Sequence, residues 1–407
     1  MTRRLLLCLA VASLWPIAAS AQPQPASPAD ALFDDSTLHE LWVHINARDW
    51  ADLRATYLEN TWYPCDVEWR GLKVRNAGCR SRGFGSRSPV KPGLLLQFDH
   101  YVTGQTWLGL RSLVLDNLVQ DPSMMKERMS MRLLDRMGVP APRVAHARLH
   151  IGSGRDYAGL YTMVENIDEP FLARQFGTDA GYLYEYRWQG DYHFEDLGAD
   201  FDPYAVRFEP RTRRDEAAAT LYAPIRDLVR AIADAPAESI EAAVAPYLDL
   251  RAFVRQAAVE NYLAEWDGLL GYAGLDNFYL YKPAAGAPGT VIPWDKDNTF
   301  AWLEMPPLHN LGTNPLMVKA WQVPALRRLY VDTLVEAAAA ADILPAEVQR
   351  AWAQVAEAAA ADPVKPVGTA DVEAAVQDLL HFVNARGAIV RRLAQDATGT
   401  ELPQASR

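Results

Sequence analysis

Apolar alternation of period two dominates the first half of the chain, and helical spacing takes over near residue 212. That switch limits the fold more than any single motif, because each period buries a different kind of face. "LHELWVHIN" (38–46) alternates as a strand, and similar runs follow at 65–75, 93–99 and "WLGLRSLVLDN". "VAHARLHI" and "YAGLYTMVEN" read as a strand pair around a glycine turn. One helix interrupts them, "DPSMMKERMSMRLLDRMG", with Asp121 as its cap, Pro122 in the first turn and Gly138 as its stop. Beyond 212, four long segments carry helical spacing, and one hairpin, "NFYLYKP…GTVIPWD" (277–295), breaks their run. The pattern predicts an α+β protein with a β-rich front half (38–168) and a mainly helical back half (169–399), followed by a short tail at 400–407. With 407 residues, half of them hydrophobic, the chain can bury two sizeable cores.

The N-terminus pairs Arg3 and Arg4 with an apolar run and an Ala19-Ser20-Ala21 site, the pattern of a secretory signal over 1–21. An uncleaved membrane anchor is the other reading of the same residues. Residues 22–37 then read as a flexible leader. No later segment has 18 uncharged apolar residues, so the mature chain is expected not to insert in a membrane. Export makes a Cys65–Cys79 disulfide an expectation, with two buried free thiols as the alternative. The hairpin between them is expected to turn near Arg70-Gly71. A formal net charge of −11 argues against a general nucleic-acid binder.

The chemistry-bearing residues fall into four stretches. "RSRGFGSRSPVKPGLLLQF" offers Gly83 and Gly85 for close backbone approach to a phosphate, with Arg82, Ser86 and Arg87 as donors and Lys91 beyond them. The same stretch also reads as a basic surface loop. Glu127, on the interrupting helix, is either solvated or the partner of Lys91. Asp267 stands where a helix ends at Gly268, and Asn277 follows ten positions later. "VIPWDKDNTFAW" places Asp295 and Asp297 at the end of the hairpin, as a turn or as a metal site. The order Lys, Glu, Asp, Asn, Asp is the order protein kinases use for phosphoryl transfer. His-Arg-Asp and Asp-Phe-Gly strings are absent, which excludes an ordinary protein kinase. "HELWVH" spaces its histidines five apart, not the four a zinc protease needs. There is no Gly-x-Ser-x-Gly elbow.

These segments together resemble the spore-coat CotH kinase family of atypical secreted or surface kinases. The resemblance is carried by "RSRGFGSRSPVKPGLLLQFD", "DPSMMKERMSMRLLDRMGVPAPRVAHARLHI", "YAGLYTMVENIDEPFLARQFG", "AEWDGLLGYAGLDNFYLY" and "IPWDKDNTF", and by the final helix "LLHFVNARGAIVRRL". It implies a two-lobed protein kinase-like fold, ATP, and Mg²⁺ or Mn²⁺. It implies that Lys91 holds the phosphates and pairs with Glu127, that Asp267 is the catalytic aspartate, and that Asn277 and Asp295 lie on the metal side. Glu165 falls near the adenine. Two departures stand out: "RGFGSRS" replaces an Asn-Ser-Ser loop, and Asp276 sits beside Asn277, so either could face the metal. Asp297 is open between a second metal ligand and a structural turn acid.

The expected protein is an exported kinase passing the γ-phosphoryl group of ATP to a hydroxyl, on a protein acceptor. A nucleotidyltransferase on the same fold and a catalytically silent envelope scaffold are the rivals. Cleavage after Ala21 would leave Gln22 as the first residue of the exported chain. Intact-mass spectrometry reads this directly, and a retained Met1 would instead indicate the anchor.

Overall fold

The computed structural model describes residues 27–152, 156–284, 286–397 and 402. The expected signal segment and the start of the leader, 1–26, lie outside the described residues, as does the tail apart from Leu402. The remainder of the expected leader is not loose. Ser27 and Asp30 form a capping box on a short 3-10 turn, and Ala29, Leu32 and Phe33 are buried against the β-rich core.

Seven strands close into a barrel: β1 (His39–Ile45), β2 (Tyr63–Trp69), β3 (Leu72–Arg82), β4 (Gly93–Gln97), β5 (Ser112–Asp116), β6 (Val144–Ile151) and β7 (Asp156–Glu165), in the order β1-β2-β3-β4-β5-β7-β6. Closure comes from β1, which pairs antiparallel with β2 and parallel with β6 through His39↔Ala147 to Val43↔Ile151. The α+β class holds, but the front half is a closed barrel, a feature the strand pattern alone did not specify. The β2–β3 turn falls at Arg70 (φ 49) and Gly71 (φ 77), two left-handed residues as a tight hairpin of the primed type requires.

Alternation fixes which side chains fill the barrel. Leu94, Leu96, Leu113, Leu115 and Met163 point inward, while Leu95, Val114 and Val164 point outward into the core shared with the helical half. Strands buried on both faces read as continuous apolar runs, hence "GLLLQ" and "SLVLD". Cys65 and Cys79 are both free and buried among the barrel residues. Cys65 lies opposite Ala77 and Cys79 opposite Tyr63, so the two are diagonal neighbours. The expected disulfide is not formed, and the neighbouring Cys79 together with burial pushes the Cys65 thiol pKa up.

Helix α1 (Ala47–Ala55) links β1 to β2, and α2 (Lys126–Arg136) packs between barrel and back half. The second of these starts later than its sequence suggests: Asp121 caps a turn through Ser123 and the Lys126 amide, and Met124 takes φ 62. After β7 the chain passes into α3 (Glu169–Phe176), ended by left-handed Gly177. A second sheet, ordered β11-β10-β8-β9, combines β8 (Gly181–Tyr186), β9 (Phe208–Pro210) and the expected hairpin, β10 (Phe278–Pro283) with β11 (Thr290–Pro293). The helices Ala218–Asp234, Leu250–Tyr262, Pro324–Ala340, Leu344–Ala361 and Thr369–Ala397 make up most of the remaining back half, with Leu250–Tyr262 packed on β11 and Leu344–Ala361 on β7 of the barrel. Among the described residues, no helix is long and apolar enough to cross a membrane.

Lys91 ties barrel and helices together. Its ammonium lies 2.7 Å from the Asp362 carboxylate, with side chains 1% and 0% exposed. Asp362, just past the helix Leu344–Ala361, also accepts the Leu160 and Val364 amides at 3.0 and 2.8 Å. Breaking one member of a buried pair strands the other charge. Asp362→Ala is therefore expected to lower stability by about 3–5 kcal/mol in urea denaturation; a change under about 1 kcal/mol would show the pair to be dispensable.

Candidate functional site

Two cavities of about 720 and 540 Å³ lie between the barrel and the second sheet. They share Asn60, Arg80, Leu95, Asn166, Arg187 and Arg211 among their lining residues. The smaller reaches the Gly83-Phe84 loop on one side and Asp276, Asn277 and Asp295 on the other.

Its barrel wall is built by the β3–β4 connection. Gly83 takes φ 107, and an added Cβ would stand 2.5 Å from the Ser86 hydroxyl oxygen, so only glycine fits. Arg87 donates to the carbonyls of Gly83, Tyr57 and Glu59 at 2.7, 2.9 and 3.0 Å, holding the loop to the end of α1. Asn117 donates to the Ser86 and Lys91 carbonyls. Phe84 is left 87% exposed at the tip. Ser86 is buried inside the loop and does not line the cleft.

The cationic side is arginine. Arg82 ends β3, with a guanidinium nitrogen 3.8 Å from Asp116 and its charge 5.4 Å over the Trp294 ring. Burial pushes its pKa down, but Asp295, Asp116, Tyr279 and Glu127 outweigh that and raise it. Arg80 donates to Asn60 and the Ser81 carbonyl and stacks on Trp62. Burial, reinforced by Arg211, Arg87 and Arg82, lowers its pKa to about 10. Among the described residues, no carboxylate forms an ion pair with Arg80.

The acidic side comes from the helical half. The helix Leu250–Tyr262 delivers Asp267, and buried Arg386 of the last helix fixes its end through four carbonyls, Asn261, Tyr262, Leu303 and Met305. Asn277 donates to the Asp267 carbonyl at 2.9 Å and to its carboxylate at 3.3 Å; Asn298 donates to the same carboxylate oxygen at 3.3 Å. Burial raises the pKa of Asp267, against Lys296 and with Asp295. Asn277 (φ 54) and Asp295 (φ 52) both take left-handed backbone, which Asn and Asp tolerate best among residues with a Cβ. Burial and neighbouring acids raise the pKa of Asp295 and push those of Asp297 and Glu127 well above the usual range; Arg82 opposes this at Asp295 and Glu127. Asp276, beside Asn277, is raised to about 7, chiefly by burial.

Arg82, Glu127, Asp267, Asn277, Asp295 and Asp297 thus form one electrostatically coupled group. Three expected members are elsewhere. Lys91 pairs with Asp362, so the Lys91–Glu127 pair does not form; Glu127 faces Arg82 and the acids instead. Ser86 is interior to its loop. Glu165 ends β7 with its carboxylate occupied by Arg143 at 2.7 Å and Arg174 at 3.0 Å, so its neighbour Asn166, not Glu165, faces the cleft. The sequence reading missed Asp116, Arg80, Arg187, Arg211 and Lys296. Asp116 was legible as the polar end of the apolar run "SLVLD", and Lys296 as the cation between two acids. The arginines come from strands far apart in sequence and carried no local signal.

Among the described residues, no three carboxylate, imidazole or thiol side chains gather closely enough to hold a metal ion between them. One or two of the acids are still free to reach a divalent cation: Glu127, Asp295 and Asp297 receive no hydrogen bond from any described residue, and, beyond burial, Asp295 raises the pKa of the other two while Glu127 raises that of Asp297. A magnesium-type ion keeps several waters and shares phosphate oxygens, so it needs only one or two carboxylates from the protein.

The family described as CotH kinase protein matches residues 79–390, most of the chain. The inner spore coat protein H of Bacillus subtilis (strain 168) is 23% identical over 240 residues, covering 58% of each chain. The match thus spans less than two thirds of that relative.

In the larger cavity, Asp168 accepts from the Ser112 hydroxyl at 2.6 Å, yet burial raises its pKa to about 7. The folded chain then holds a proton that the unfolded chain has released between about pH 4 and 7, so this group's stability contribution falls as pH rises through that window. Asp168→Asn is expected to be neutral near pH 4 and stabilising at pH 8 by on the order of 2 kcal/mol, discounted for partial exposure. Urea melts at the two pH values measure this; equal effects at both would contradict it.

Proposed function

We propose, from the premise that the chain belongs to the CotH kinase protein family, that it is an exported ATP-dependent phosphotransferase with a kinase-like cleft. The observation that carries this reading is the opposition of charge across one cleft. Arg80, Arg82 and Arg87 line the barrel wall, Arg187 and Arg211 join them from the second sheet, and Asp276, Asn277 and Asp295 lie opposite the barrel arginines. A metal–triphosphate needs donors on one side and carboxylates on the other.

In this reading Arg80 and Arg82 bind phosphate oxygens, the part expected of Lys91. Guanidinium suits a crowded cationic wall because it keeps its charge there, whereas an ammonium would lose it. Asp295 and Asn277 hold the divalent cation, with Asp297 and Glu127 behind them. Bound there, Mg²⁺ or Mn²⁺ would neutralise charge developing on the phosphoryl oxygens. Asp267 accepts the proton of an acceptor hydroxyl. Its raised pKa improves it as a base, and hydrogen bonds from Asn277 and Asn298 aim it. The nucleobase lies toward Asn166. The acceptor is a hydroxyl, on a protein by family resemblance.

One observation favours a catalytically silent envelope scaffold: Lys91 and Glu127, paired in active kinases, are apart. Transfer of the nucleotidyl part is distinguished by product mass.

Asp295→Ala is expected to weaken Mg²⁺-dependent ATP binding. Arg82→Ala should weaken it about 10–100-fold, the worth of a charge-assisted hydrogen bond. Asp267→Ala should keep nucleotide affinity and lose about 10²–10⁴-fold in transfer rate. Nucleotide titration and labelled-phosphate transfer, with circular dichroism as the folding control, test the set. A wild-type chain that binds no ATP with either metal would sink the kinase reading.

A further inference from the structure

Beneath Asp267 lies a buried charged group that lines neither of the two cavities described above. Lys296, with a fully buried side chain, sits 3.4 Å from a Glu260 carboxylate oxygen and 3.8 Å from one of Glu265. The two glutamate side chains are 3% and 0% exposed. Three buried charges cost stability relative to an apolar cluster of the same size, so their retention calls for another reason.

The second oxygens of the two glutamates supply it. Glu265 accepts the Asp267 amide at 2.8 Å, and Glu260 accepts the Leu269 amide at 2.8 Å. The backbone on both sides of Gly268 therefore hangs from two carboxylates that share one ammonium. Gly268 presses against all three: a Cβ there would lie 2.5 Å from Glu260, 2.7 Å from Glu265 and 3.0 Å from Lys296. Lys296 itself belongs to the turn carrying Asp295 and Asp297. That turn is fastened to α2 through Thr299, which meets Ser130 at 2.9 Å and donates to the Lys296 carbonyl at 3.0 Å.

We infer that Lys296 is a positioning residue that ties the Asp295–Asn298 turn to the Asp267 loop, setting the spacing between the phosphate-side acids and the proton acceptor. The inference rests on the phosphotransferase reading for its effect on rate, but not for the coupling itself. A spacing error of about 1 Å between such groups lowers rate by about 10²-fold while leaving ground-state binding intact.

Two variants of the full chain test it: Lys296→Met, and Lys296→Met combined with Glu265→Gln. The double variant removes one charge of each sign, and its Gln side-chain oxygen still accepts the Asp267 amide. Both are expected to bind Mg²⁺-ATP within about threefold of wild type and to transfer phosphate about 10–100-fold more slowly, a loss in kcat and not in KM. Hydrogen exchange at the Asp267 and Leu269 amides should quicken about tenfold or more in both, with the barrel unchanged. The double variant should recover thermal stability without recovering rate. Recovery of rate along with stability would show a merely structural role and overturn the inference. So would wild-type exchange at the two amides. If Lys296→Met does not fold, the double variant carries the same comparison. If the wild type transfers nothing, amide exchange still decides the coupling, and only the phosphotransferase reading falls.

Discussion

The Lys91–Asp362 ion pair organises the chain more than any other single contact. It joins the mouth of β4 to the end of the helix Leu344–Ala361, 271 positions away, through two side chains almost wholly shielded from solvent. Burial lowers the Lys91 pKa, and Asp362, with a smaller contribution from Asp116, works against it. The consequence reaches the cleft. A lysine committed to holding barrel and helices together cannot also hold an anion. The positive charge facing the acids must then come from Arg80 and Arg82, on the strand that precedes the loop.

Arginine on one wall and carboxylates on the other explain each other. Asp295, Asp116 and Glu127 hold Arg82 protonated despite its burial, and Arg82 is the main attraction restraining the rise in the pKa of Asp295 and Glu127. Neither set is balanced: Arg80 lacks an ionic partner among the described residues, and the pKa of Asp297 is pushed up by burial and by Asp295, Asp116, Glu127 and Asp121. Frustration of this kind in a polar, roomy cleft is how binding energy for a charged ligand is stored. The local backbone agrees, since Asn277 and Asp295 both hold left-handed conformations at the two ends of one hairpin.

Much of the local structure was legible in the residues. The Arg70-Gly71 turn, the β6–β7 pair and the β10–β11 hairpin follow from alternation and turn chemistry. The acids Asp267 and Asp295 and the amide Asn277 were legible too, because each sits at an element boundary. The start of α2 was misplaced because Asp121 caps a turn as readily as a helix, and its oxygens serve the Ser123 and Lys126 amides. The strands β8 and β9 went unread, since β9 has only three residues and is defined by its neighbour rather than by its own pattern.

The sequence by itself determined the α+β class, the in–out alternation of the barrel strands and the acidic half of the cleft, because periodicity and turn preference act over a few residues. Tertiary structure alone decided barrel closure, which needs β1 to meet β6 more than a hundred positions away. It decided the partner of Lys91 as well. A long flexible ammonium gives no local sign of which carboxylate it will reach, and Glu127 and Asp362 were equally available to it until the chain folded. The fold brought Asp362 to the barrel, placed Glu127 before Arg82, and turned Lys296 inward beneath Asp267, since a charge leaving water settles where opposite charge has already been buried.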